Sequence, residues 1–179
     1  MAKVYEPATD DVIEILNAAI KKYHPGLDEH CVRVGVVMVT SEKGDPVTHG
    51  GHRCAAKIKR VSRKDRVTTP YEAIIYVDGN LWVDLHEKTR LALLDHELEP
   101  LILQFDAPEV IRRDDDGRPL LALKPDDWCL TGFACIVDRH GDFAIEKMSL
   151  EKLRSDHGQL LFDFGETLEE ERLPEAIGV

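Results

Sequence analysis

The chain has 179 residues, 43% hydrophobic and 32% charged, proportions that fit one folded domain with a real core and exclude wholesale disorder. Its formal charge of −11 repels nucleic-acid backbone and anionic membrane alike, so direct binding to either is not expected, and a basic or neutral partner suits it better. The opening MAKVYEP lacks the apolar core of a signal peptide, and no stretch reaches the roughly 18 apolar residues of a membrane span, so a cytoplasmic protein is expected.

In chain order, Thr9 and Asp10 are capping residues for a first helix whose Val12, Leu16, Ala19 and Ile20 fall at helical spacing, ending near Tyr23 before His24-Pro25-Gly26. Residues 31–40, CVRVGVVMVT, are β-branched and predict a strand, with 53–61 as its neighbour. Tyr71 to Val77 predicts a third strand, followed by a turn at Asp78-Gly79-Asn80. Asp84 and Glu87 have capping-box spacing and open a helix through Leu91, Leu94 and Leu98. Pro100 ends that helix, because its ring collides with the carbonyl of His96 and it has no amide hydrogen to donate.

LILQF, EVIRR and RPLLAL then predict strands around the acidic turn DDDG. Asp126 or Asp127 caps the next helix, with Leu130, Phe133, Ala134 and Val137 inward and Gly141 at its end. Ser149 caps a last short helix over 150–157. Residues 1–158 thus read as a single domain, and 159–179 as an acidic C-terminal segment. Cys31, Cys54, Cys129 and Cys135 form no Cys-x-x-Cys pair, so reduced, largely buried thiols are expected rather than a zinc ribbon or a disulfide framework.

The chemistry concentrates in LDHELEP, residues 94–100. It begins like His-Glu-x-x-His, in which two histidines one helical turn apart grip zinc from one face and the glutamate between them activates the bound water. A proline stands where the second histidine belongs. Together with YEAIIYVDGNLW, EKTRLALLDHEL, DDDGRP and FACIVDRHGDF, this helix resembles the phage metallopeptidases, relatives of the SprT-like proteases, across about residues 8–145. The resemblance implies an α+β, zincin-like fold in which a small, mostly antiparallel sheet packs against the motif helix and flanking helices.

The same resemblance implies roles. His96 matches the first metal ligand and Glu97 the water-activating base, whereas the second ligand falls on Pro100 and the third on or near Asp126. Glu99, three residues after His96, also has a spacing that shares a helix face, so a His96, Glu99, Asp126 site is chemically feasible. Its extra negative charge would weaken zinc as a Lewis acid and tilt selectivity towards harder ions such as manganese or magnesium. Two readings stand side by side: a metal-dependent peptide hydrolase with an altered zinc site, and a pseudoenzyme that keeps the fold and binds another protein, as a phage-encoded inhibitor or acidic decoy would.

Asp95 is expected either to orient the motif histidine or a neighbouring arginine, or to be solvated. His140 matches the Arg-His-Gly of the resemblance and is read either as a group supporting the site residues or, in preference, as a favourable charge on the helix dipole in the last turn of its helix. Trp82 and Trp128 are expected in the core. His49, His52 and His86 read as solvated, and no serine or cysteine nucleophile motif or phosphate loop is present. QLLFDF, residues 159–164, places Gln159, Leu160, Phe162 and Phe164 in an order that looks like the peptides bacterial replication proteins insert into the sliding clamp; a terminal strand is the competing reading.

Overall fold

The computed structural model describes residues 2–49, 52–125, 134–148 and 151. The chain starts with β1 (Lys3–Pro7) and continues through α1 (Asp10–Tyr23), the short α2 (Pro25–Glu29) and β2 (Val34–Ser41). After β3 (Thr48–His49) and β4 (His52–Arg53) come β5 (Ala56–Arg60), β6 (Ala73–Asp78), α3 (Gly79–Trp82) and α4 (Glu87–Leu98). Then follow β7 (Leu101–Leu103), β8 (Phe105–Ala107), β9 (Val110–Ile111), β10 (Leu121–Leu123) and α5 (Ala134–His140). No helix among the described residues is long and apolar enough to cross a membrane.

The main sheet has the order β1-β2-β6-β5. Its β1–β2 and β5–β6 pairings are antiparallel and β2–β6 is parallel, so the sheet is mixed but mostly antiparallel, as expected. The two central strands carry β-branched runs, and Val36, Ile75 and Val77 are buried against Leu16 and Ile20 of α1 and Leu93, Leu94 and Leu98 of α4. Full burial of each such side chain stabilises by about 1.5–3 kcal/mol before conformational entropy is charged against it. Trp82 joins this core, as expected; Trp128 lies outside the described residues.

Several local expectations shift. β1 has every residue exposed and therefore no alternating pattern to read in the sequence. The strand expected at 31–40 starts at Val34, because Cys31 takes φ +57° and turns the chain; its thiol side is exposed rather than buried. The expected turn at Asp78 is the start of α3, where the Asp78 side chain accepts the Leu81 N–H at 3.0 Å and also holds Arg53 at 2.7 Å. A side chain at Gly79 would meet the Thr40 methyl at 2.7 Å, which explains glycine there. α4 is capped by His86, whose Nδ1 accepts the Lys88 N–H, and not by Asp84. Its end at Leu98, ahead of Pro100, is as expected. α5 stops at Gly141 with φ +54°, also as expected, although Ile136 rather than Val137 is its fully buried residue. The expected helix cap at Asp126 or Asp127 and the helix over 150–157 fall outside the described residues apart from position 151.

A second anchor lies away from α4. Glu72 is fully buried and accepts the Arg33 N–H at 2.6 Å and the Arg118 Nε–H at 2.7 Å. Arg118 in turn donates to the carbonyls of Arg66, Thr69 and Tyr71, and Asp114 holds the buried Arg66. The acidic turn DDDG is thereby fastened to the start of β6. Replacing Glu72→Gln keeps the shape and the three carbonyl contacts of Arg118 but removes its carboxylate, and urea denaturation should show a loss of about 1.5–3 kcal/mol, the worth of a hydrogen bond to a charged group.

Candidate functional site

At 3.6 residues per turn, three consecutive polar positions on a helix, here Asp95, His96 and Glu97, point in different directions. Leu94 and Leu98 face the core, so α4 is locked about its own axis and its polar residues are dealt to separate neighbours. Glu97 points at the sheet, where its Oε2 accepts the Ile58 N–H of β5 at 2.6 Å, in a buried contact. Ile58 pairs with Ile75 across the strand while its own N–H serves Glu97, so the carboxylate fastens α4 to the outer edge of the sheet.

His96 points elsewhere. Its Nδ1 lies 2.6 Å from Oε1 of the buried Glu146. Asp95 and Glu99, one helical turn apart, share a third face and look towards α1 and α5. The fully buried Asp95 meets His24 Nε2 at 2.6 Å through one oxygen and His140 Nε2 at 2.7 Å through the other. Arg139 Nη1 stands 3.2 Å from both Asp95 Oδ1 and Glu99 Oε2, and Lys124 Nζ donates to Glu99 Oε1 at 2.8 Å.

The expected trio is therefore not gathered at His96. Glu99 turns to Arg139 and Lys124, and Asp126 lies outside the described residues. The metal-ligand types that do converge are His24, Asp95 and Glu99, whose donor atoms lie within 4.8 Å of one another. Asp95 holds a neighbouring arginine, one of its two expected roles. His140 sits in the last turn of α5, as expected, and its buried side chain has a further role, bonded to Asp95 with its ring edge-on to Tyr23 at 5.2 Å. His86 serves as a helix cap stacked on Phe143.

His24, Lys124 and Glu146 were missed by sequence reasoning. Only His24 carried a signal, its place at the end of α1 before Pro25, and that signal reads as a helix stop. Arg139 was visible within the Arg-His-Gly that resembles the family, but its partners were not.

The electrostatics follow from these contacts. Burial alone would raise the Asp95 carboxyl, but hydrogen bonds from His24 and His140 and the charges of His24 and Arg139 outweigh it and hold it below the usual aspartate range. Burial likewise opposes Lys124 and Arg139 at Glu99, and the cations win. The Cys54 thiol is pushed up to about 11 by burial and then by Glu97, and Cys135 is raised by burial and then by Glu99. Burial thus makes both thiols less acidic than a free cysteine, which disfavours a nucleophilic thiolate at neutral pH.

A zinc hydrolase keeps three protein ligands and an open position. Among the described residues His96 supplies one imidazole, Pro100 supplies no donor, and Glu99, the carboxylate three positions on, is held by Lys124 and Arg139. The described residues by themselves therefore do not make up a three-ligand zinc centre at His96.

Because the folded Asp95 titrates below the unfolded value of about 3.9, the stability it contributes is complete above that pH and is lost as pH falls through the folded value. Melting curves between about pH 2 and 6 should show Asp95→Asn less stable than the parent at the upper end, with the two converging towards the acid end. A constant gap across that range would show that the carboxylate's charge is not what holds the helices.

A family model described as putative phage metallopeptidase matches residues 3–155. No curated protein and no solved structure matches the chain. The mixed sheet with α4 laid against it is compatible with a zincin-like metallopeptidase fold, and the family suggests a metal cofactor. With the match running from β1 to beyond α5, this chain belongs to the phage metallopeptidase family.

Proposed function

We propose that this chain is a metallopeptidase-like phage protein whose peptidase metal centre is degraded, and that it acts by presenting the folded surface to a protein partner. The observation that carries this reading is the commitment of the motif helix. At the position one turn after His96 stands Pro100, and the carboxylate beside it is held by Arg139 and Lys124. Glu97, the residue matched to the base, is bonded to the backbone of the sheet edge. A net charge of −11 suits a basic or neutral partner surface, in keeping with an inhibitor or acidic decoy. The 159–164 segment, outside the described residues, is proposed as a tether to a sliding clamp; recovery of the clamp should fall when those residues are deleted.

One observation favours the hydrolase. Metal-ligating histidines characteristically give their second ring nitrogen to a carboxylate, which fixes the ring, and His96 Nδ1 has that partner in Glu146. In that reading zinc, or manganese with a carboxylate-rich set, is held through the other ring nitrogen, with further donors supplied from outside the described residues.

Metal analysis separates the two. Protein purified with added zinc and manganese should carry well under one ion per chain, and Pro100→His, which restores the one-turn histidine pair, should raise zinc affinity by more than the roughly 10–100-fold attached even to a supporting residue. Near-stoichiometric metal in the parent protein, lost on His96→Ala, overturns the non-catalytic reading.

A further inference from the structure

The polar joint between α1, α4 and α5 has the composition of a metal site on a face of α4 different from that of His96. His24 caps the end of α1, and Asp95 and Glu99 stand one turn apart on α4, with ligand atoms of all three within 4.8 Å. One imidazole and two carboxylates form a donor set for a divalent cation of the zinc, cobalt or manganese class. Two carboxylates this close, one fully buried and the other with a side chain only 14% exposed, also repel each other unless a positive charge lies between them.

That charge is present. A single nitrogen, Arg139 Nη1, lies between the carboxylates, 3.2 Å from an oxygen of each, in the place of a bridging ion though farther from each oxygen than the roughly 2.0–2.2 Å of a zinc–oxygen bond. The remaining oxygens are taken by His140 on Asp95 and Lys124 on Glu99. The guanidinium is located independently by the Tyr23 ring, 5.4 Å from its centroid, so its position does not depend on the carboxylates alone.

We propose that Arg139 is the resident cation of a latent divalent-metal site formed by His24, Asp95 and Glu99: the guanidinium takes the ion's place between the two carboxylates and makes the three-helix joint independent of metal. Removal of the arginine leaves two facing carboxylates and a nearby imidazole, and the joint then needs an ion. The arginine side chain is 29% exposed, so the space it leaves is reachable from solvent.

The test uses the full chain, cobalt(II) as a visible-absorption probe, and zinc. The parent protein should show no cobalt band, and no shift of melting temperature with chelator or added zinc, that depends on His24. Arg139→Ala and the longer, uncharged Arg139→Met should melt lower without metal, gain one cobalt per chain and recover stability with zinc. That gain should be lost on adding His24→Ala and retained on adding His96→Ala. Should Arg139→Ala not fold metal-free, zinc or cobalt in the refolding buffer must restore it. The proposal is overturned by His24-dependent metal in the parent, by arginine variants that neither bind nor respond to metal, or by binding that survives His24→Ala. Metal in the parent that depends on His96 alone would overturn the non-catalytic reading above and leave this one standing.

Discussion

A carboxylate with no access to water has to be paid for by partners, and Asp95 has them on two other elements: His24 at the end of α1, and Arg139 and His140 at the end of α5. Breaking a buried pair of this kind on one side costs about 3–5 kcal/mol, because the remaining charge stays buried. Asp95 is therefore the point at which the three helices are tied together. It also fixes how α4 is rotated, since the leucines on its opposite side are already committed to the core. Once that rotation is set, Glu97 must meet the sheet and His96 must meet Glu146.

The proline belongs to the same arrangement. Pro100 ends α4 and turns the chain straight into β7, and its carbonyl accepts the Lys124 N–H just after β10. This brings the Lys124 side chain to Glu99. A residue that supplies no ligand is thus accompanied by a cation on the carboxylate next to it, and by a second cation, Arg139, on the same carboxylate. Asp95 and Glu99 at this helix end are thus both met by protein cations. Glu146 on His96 is the feature that runs the other way, since it supports an imidazole much as carboxylates support metal-bound histidines.

How much was legible in the sequence differs between fold and site. The α1 and α4 helices, the central strands and the stop at Pro100 follow from periodicity, β-branching and proline chemistry, all of which act over a few residues. The start of α4 did not, because a histidine cap competes with a capping-box spacing two residues earlier and only the backbone geometry decides between them. β1 was invisible, because an exposed edge strand carries no hydrophobic alternation. At the site, the His-Glu pair and the missing second histidine could be read directly, and so could the resemblance they carry.

The sequence by itself determined the family, the helix that bears His96 and Glu97, and the proline at position 100. Only the tertiary structure decided what each polar residue of that helix faces. His24 and Asp95 are 71 positions apart, and His96 and Glu146 are 50 apart. Contacts at such separations depend on how whole helices pack, and local propensity contains no term for that. A spacing of three on a helix allowed Glu99 to join His96, but the rotation imposed by the buried leucines and by Asp95 gave it to Arg139 instead.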